Sequence, residues 1–168
     1  MCIRDSLWTP WRLAYVTAAS KDAPGCVFCQ ALATGADDSL IVYRGTACFV
    51  ILNLYPYNNG HLMVVPNRHV GRLSGLESDE AAEIMRLTRV VEMALQELYQ
   101  PHGFNMGLNL GKSAGAGVLD HLHMHVVPRW NGDTNFMTVV GDTRVLPEDL
   151  ARTAERLRPI LSRLAHSV

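Results

Sequence analysis

Two hydrophobic periods divide the chain. Short apolar runs and period-two alternation predict strands over Leu40 to Arg44, Ala47 to Leu52, His61 to Pro66, Phe104 to Leu110 and His121 to Pro128. A helical period replaces them where Ile84, Leu87, Val91, Leu95 and Leu98 recur at three to four residues. That helix is expected to start at Ser78 as N-cap, with Asp79 and Glu80 in its first turn, and to stop near Tyr99, before Pro101-His102-Gly103. Beyond Pro147, the positions of Leu150, Leu157, Ile160, Leu161 and Leu164 predict a last helix within 147–165, bent or restarted at Pro159. With no internal repeat and no low-complexity linker, residues 1–168 read as one α+β domain. Its core, residues 40–130, is an antiparallel sheet of about five strands with flanking helices.

The most informative strand is the last, His121-Leu122-His123-Met124-His125-Val126-Val127. In an extended segment Leu122, Met124 and Val126 face a core, while His121, His123 and His125 project together from the opposite face. Imidazole, with an ordinary pKa of roughly 6.5, keeps a neutral nitrogen at neutral pH for metal binding, proton transfer or nucleophilic attack. Same-face neighbours on a strand lie roughly 6.5–7 Å apart, which makes a metal shared by all three awkward. A catalytic row is favoured over a strand that merely tolerates histidines.

Upstream lies Asn109-Leu110-Gly111-Lys112-Ser113-Ala114-Gly115-Ala116-Gly117, where small residues allow backbone N–H groups to approach an anion. It departs from the Walker pattern in glycine spacing and leads into a strand rather than a helix. Alone it reads equally well as a flexible turn; feeding a histidine row, it reads as a phosphate cradle. A separate constellation, Cys26-Val27-Phe28-Cys29, is compatible with a redox pair, half of a zinc site, or coincidence.

The histidine segment resembles the signature of the histidine triad family of nucleotide hydrolases and transferases, His-φ-His-φ-His-φ-φ with φ apolar. Asn53-Leu54-Tyr55-Pro56-Tyr57-Asn58-Asn59-Gly60-His61-Leu62-Met63-Val64-Val65-Pro66 resembles a second block of the family, and the likeness covers roughly residues 40 to 130. Trp8-Thr9-Pro10-Trp11-Arg12, residues 52–57 and Pro128-Arg129-Trp130 look most like the bacterial branch that includes diadenosine tetraphosphate phosphorylases. The resemblance implies His123 as the nucleophile on an α-phosphorus, His125 as a phosphate-binding partner and His61 as a supporting histidine. It further implies Asn109 and the backbone of Gly111, Gly115 and Gly117 on non-bridging oxygens, and Asn53 at a ribose. Where many relatives carry Gln or Ser before the first histidine, this chain has Ala116, Gly117 and Val118; Lys112 and Ser113 are substitutes for contacting the leaving oxygen, but a solvated Lys and a turn Ser are the favoured reading of these two.

Zinc-bearing relatives complete a Cys-x-x-Cys site with a histidine after the Val-x-Pro strand and with the first histidine of the row, here His69 and His121. The resemblance thus implies a structural zinc on Cys26, Cys29, His69 and His121, and no organic cofactor. It also implies a homodimer or higher homo-oligomer. The expected activity is cleavage of dinucleoside polyphosphates through a nucleotidyl-histidine. The alternatives are hydrolysis of phosphoramidate or aminoacyl-adenylate nucleotides, and a non-catalytic nucleotide-sensing module.

Charge narrows the partners: 15 basic against 16 acidic residues produce no large field, so neither nucleic acid nor a membrane surface is an expected partner. The apolar runs are far too short to span a bilayer, no signal-peptide pattern opens the chain, and a cytoplasmic location is expected. In that compartment Cys2, Cys26, Cys29 and Cys48 do not suggest a disulfide framework. Residues 1–6 join poorly to the segment that begins at Leu7 and read as a non-native leader or a gene-start error ahead of an N-terminal arm, residues 7–35. Trp8, Trp11 and Trp130 suit an interface or a base-stacking pocket equally.

Overall fold

A computed structural model describes residues 25–34, 40–133 and 147–167. The expectations for the leader, Cys2, Trp8 and Trp11 lie outside the described residues. Five strands form one antiparallel sheet: β1 (Ile41–Arg44), β2 (Cys48–Leu52), β3 (Leu62–Pro66), β4 (Gly103–Leu108) and β5 (Met124–Arg129), in the order β1-β2-β3-β5-β4. Between β3 and β4 runs a helix, Ser78–Tyr99, and the chain ends in another, Leu150–Ala165. A short helix precedes the sheet at Val27–Ala33. In chain order these are α1 (Val27–Ala33), α2 (Ser78–Tyr99) and α3 (Leu150–Ala165).

Every residue of β2 and β3 is buried, because both faces of the sheet are covered. Alternation sorts them: Cys48, Val50, Leu52, Leu62 and Val64 join Val126 under α2 and α3, while Phe49, Ile51, Met63 and Val65 meet Phe28 of α1 on the other face. Burying each such side chain contributes about 1.5–3 kcal/mol, so the larger cluster dominates stability. Glu83 of α2 stitches the β1–β2 turn to that layer, accepting the N–H groups of Thr46, Ala47 and Cys48 and a guanidinium N–H of Arg86. Burial pushes its carboxyl up, but the Ala47 amide, Arg86 and the neighbouring amides outweigh that and leave it below the ordinary value.

Several boundaries differ from expectation. The N-cap of α2 is Glu77, not Ser78: the Glu80 carboxylate takes the Glu77 N–H at 2.8 Å in a capping box, so Ser78 becomes the first helical residue. Pro159 neither restarts nor ends α3; it is exposed in a continuous helix, where the carbonyl it leaves unbonded can meet water. Asp149 caps that helix by accepting the Arg152 N–H at 2.8 Å. The strand expected from His121 begins only at Met124, since the ladder with β3 ends at the Val64–Met124 pair and Leu122 N–H turns to the Val70 carbonyl instead. The strand expected from Phe104 to Leu110 is shorter at its far end and stops at Leu108.

Topology brings the histidines together. After β3, α2 carries the chain to the outer edge, where β4 is laid down away from β3; β5 then fills the slot between them. Met63 therefore pairs with His125, and His61, immediately before β3, lies beside the row.

Candidate active site and metal centre

His123 is 5% exposed and its ring is held by its own neighbourhood: Nδ1–H donates to the His121 carbonyl at 2.8 Å. With the proton on Nδ1, Nε2 carries the lone pair. Burial pushes the pKa of this imidazole below its ordinary value against the pull of the carbonyl, which favours the neutral form. Phe28 packs against it with ring centroids 5.1 Å apart, and the His125 ring stands nearly perpendicular at 4.8 Å.

A hydrogen-bond chain sets the proton positions of the next two rings. Tyr57 N–H donates to His61 Nδ1 at 3.1 Å, and the Asn53 amide N reaches the same atom at 3.3 Å. An Nδ1 that accepts places the His61 proton on Nε2, which donates to His125 Nδ1 at 2.9 Å. The His125 proton is thereby placed on its own Nε2. The Tyr57 ring covers both, with centroids 4.7 Å from His61 and 6.1 Å from His125. Gly60 makes this turn possible: its φ is +77°, and a Cβ there would lie 3.0 Å from Leu95 Cδ2 and 3.2 Å from the Tyr99 ring.

Other expected substrate contacts are placed less directly. Asn53 is buried, with its amide N on His61 and its Oδ1 accepting Tyr55 N–H at 3.0 Å. Asn109 follows one position after the Leu108–Met124 pair, at the mouth of the loop. Within the loop, a short 3₁₀ turn at Lys112–Ala114 uses the amides of Ala114, Gly115 and Ala116 internally. Among the described residues the amides of Gly111, Lys112, Ser113 and Gly117 meet no backbone acceptor, which leaves them available to an anion. Lys112 and Ser113 are exposed.

The four residues Cys26, Cys29, His69 and His121 converge, with their ligand atoms all within 4.8 Å of one another. Cys26 Sγ lies 3.2 Å from His121 Nδ1, and Cys29 Sγ lies 3.4 Å from His69 Nδ1 and 3.6 Å from His121 Nδ1. Zinc–ligand bonds of about 2.3 Å to sulfur and 2.0–2.1 Å to nitrogen give a tetrahedral S···N edge of about 3.6 Å, so the donor set fits that ion. His121 Nε2–H donates to the Pro66 carbonyl at 2.9 Å, which aims the Nδ1 lone pair at the sulfurs. Burial and the adjacent Cys26 thiol push the Cys29 thiol up, a repulsion that a dication reverses. Close backbone approach sets the geometry: a Cβ on Gly71 would come within 3.0 Å of Asp120 Cα, and Leu122 N–H bonds the Val70 carbonyl at 2.7 Å.

His121 is the hinge between the two centres. Its ring belongs to the Cys-x-x-Cys cluster and its carbonyl holds His123. Phe28, the apolar residue inside the Cys-x-x-Cys, touches both His121 at 5.4 Å and His123. Sequence reasoning passed over Phe28 and the Tyr57 amide; an aromatic within the cysteine pair was the one available signal for the first, and a backbone donor has none.

A five-stranded antiparallel α+β domain presenting a histidine row beside a glycine-rich loop defines a narrow class of folds. The HIT domain matches residues 34–132, and the chain belongs to that family, the histidine triad proteins. It is 45% identical over 158 residues to the AP-4-A phosphorylase of Mycobacterium tuberculosis, covering 90% of this chain and 80% of that protein. It is 32% identical over 95 residues to the asymmetrical bis(5'-nucleosyl)-tetraphosphatase of Schizosaccharomyces pombe, covering 56% of this chain and 52% of that one. Among solved structures, a Zn-bound histidine triad family protein from Mycobacterium smegmatis superposes with a TM-score of 0.68 at 29% identity, covering 85% of this chain and 97% of that chain.

Proposed function

We propose that this chain is an enzyme that cleaves dinucleoside polyphosphates by nucleotidyl transfer through His123. The observation that carries the reading is the orientation of His123, whose Nδ1–H is committed to the His121 carbonyl so that Nε2 is the nucleophilic atom. In the first step Nε2 forms a bond to the α-phosphorus, the bridging P–O bond breaks, and its electron pair leaves on the nucleoside polyphosphate. That leaving group is already a stable phosphate anion, so little general acid catalysis is needed. In the second step an oxygen of inorganic phosphate or water attacks the same phosphorus and the P–N pair returns to Nε2. The Nε2–H of His125 and the amides of Lys112, Ser113 and Gly117 are suited to hold non-bridging oxygens where charge builds up, with Asn109 at the loop mouth. The similarity to the mycobacterial AP-4-A phosphorylase favours phosphate as acceptor.

Incubation with diadenosine tetraphosphate, with and without phosphate, tests this. Phosphate-dependent formation of ADP and ATP is expected; AMP plus ATP regardless of phosphate would replace the phosphorylase reading with a hydrolase, and no cleavage would remove both.

Cys26, Cys29, His69 and His121 would hold a structural zinc, supported by the fit of their donor atoms and by the Zn-bound neighbour. When bound, the ion cross-links α1 to the segment preceding β5 and performs no chemistry itself. The thiols of Cys26, Cys29 and Cys48 suit a reducing compartment such as the cytoplasm, and among the described residues no helix is long and apolar enough to cross a membrane. For assembly, β4 is an edge strand whose middle residues Asn105, Met106 and Gly107 are exposed. Among the described residues no strand pairs with this outer edge, which suits pairing with a second copy. Sedimentation velocity is expected to return twice the chain mass, and a monomer at micromolar concentration would refute the pairing.

A further inference from the structure

Among the charged clusters outside both centres, that of Asp133 and Arg129 lies nearest the histidine row in sequence. Asp133, just beyond β5, has a side chain only 12% exposed. Its Oδ2 accepts Arg129 Nε at 2.5 Å, Asn58 Nδ2 at 2.8 Å and Trp130 N–H at 3.3 Å, and its Oδ1 accepts Arg129 Nη2 at 2.9 Å. Arg129 is itself fixed from the other side, donating from Nη1 to Asn105 Oδ1 at 2.6 Å. A carboxylate with four charge-assisted or amide donors is a rigid anchor.

What it anchors is the loop before β3. Asn58 donates from the same Nδ2 to the Pro128 carbonyl at 3.0 Å, and its own carbonyl accepts His61 N–H at 3.1 Å. The residue before it, Tyr57, presents the N–H that His61 Nδ1 accepts. Asp133 therefore steadies, through one side chain and one peptide, the shorter of the two contacts, the other being from the Asn53 amide N, that keep the His61 proton off Nδ1.

We propose that Asp133 is a positioning residue for the His61–His125 pair: by clamping Asn58 it keeps the Tyr57 amide on His61 Nδ1, where together with the Asn53 amide N it holds both imidazoles as their Nε2–H tautomers. Without the clamp, only the longer 3.3 Å contact from Asn53 Nδ2 opposes a proton on His61 Nδ1, and the Nδ1–H form becomes populated. Its Nε2 would then face His125 as an acceptor, turning the His125 proton inward to Nδ1 and removing the Nε2–H donor. The catalytic consequence rests on the function proposed above; the tautomer consequence does not.

The test uses the full, zinc-loaded chain and the variants Asp133→Ala and Asp133→Asn, the latter keeping an oxygen for Asn58 while losing the charge. Long-range proton–nitrogen NMR of ring-labelled histidine reads the tautomers, and steady-state kinetics on diadenosine tetraphosphate reads turnover. In Asp133→Ala, His61 and His125 are expected to leave the single Nε2–H form. kcat is expected to fall by about tenfold to a hundredfold, with KM within about twofold and zinc content unchanged. Asp133→Asn should recover much of both readouts. Unchanged tautomers in Asp133→Ala overturn the proposal, as does a loss of kcat, KM and zinc together, which marks a merely structural role. If wild-type protein cleaves no dinucleotide, the function fails while the tautomer readout still decides the positioning.

Discussion

Replacing His123 with alanine is expected to lower turnover of diadenosine tetraphosphate by about 10³-fold or more while nucleotide affinity stays within about threefold of wild type. The asymmetry follows from what this imidazole does in the proposed pathway. It forms the P–N bond, whereas the loop amides, Asn109 and His125 hold the phosphate and are untouched. Truncation also opens a cavity against Phe28 and strips the buried His121 carbonyl of its donor, at a cost of about 1–3 kcal/mol. Zinc content and a thermal melt therefore accompany the assay, so that loss of fold is separated from loss of chemistry. In wild-type protein, quenching without acid during turnover should trap a phosphoramidate on His123 detectable by peptide mass. A variant that keeps more than a tenth of the wild-type rate would sink the nucleophile assignment.

The second large effect concerns the metal. Protein prepared without chelator is expected to contain close to one zinc per chain, and Cys26→Ser or His69→Ala should lower metal content and Tm together. Metal bound only by the folded state adds its binding free energy to stability. Losing several kcal/mol from a chain of this size lowers Tm by about 10 °C or more. His121→Ala is the sharper probe, because its ring belongs to the metal site and its backbone to the nucleophile. It should lose zinc, and because α1 carries Phe28 onto His123, it should lose activity as well. Full zinc occupancy in that variant would exclude His121 as a ligand and leave the cysteine pair to another role.

Strands, the long helix and the histidine row were legible because each is written locally. Residues 47–52 and 62–65 are continuous apolar runs, and the two-residue repeat of an extended strand sorts their side chains onto the two faces that the packed clusters show. Helix α2 likewise ends at Tyr99, where Pro101 and Gly103 forbid continuation. The errors are local too: Ser78 looked like a better cap than Glu77 until the Glu80 side chain settled the competition. α1 was not foreseen, since seven residues carry too little periodicity to register.

The amino-acid sequence by itself thus determined the fold class, the face of the last strand that bears histidines, and which residue types could bind phosphate or metal. Only the tertiary structure decided who touches whom. Cys26 meets His121 across 95 positions, and His61 meets His125 across 64, because β5 inserts between β3 and β4 rather than at an edge. The antiparallel pairing of β2 with β3 gives Asn53 to His61, and the loop's own turn takes three amides that composition alone would have offered to an anion. Side-chain periodicity is a property of neighbours along the chain. Hydrogen-bond direction, and with it the tautomer of each histidine, is set by partners that only strand order and close backbone approach bring within reach.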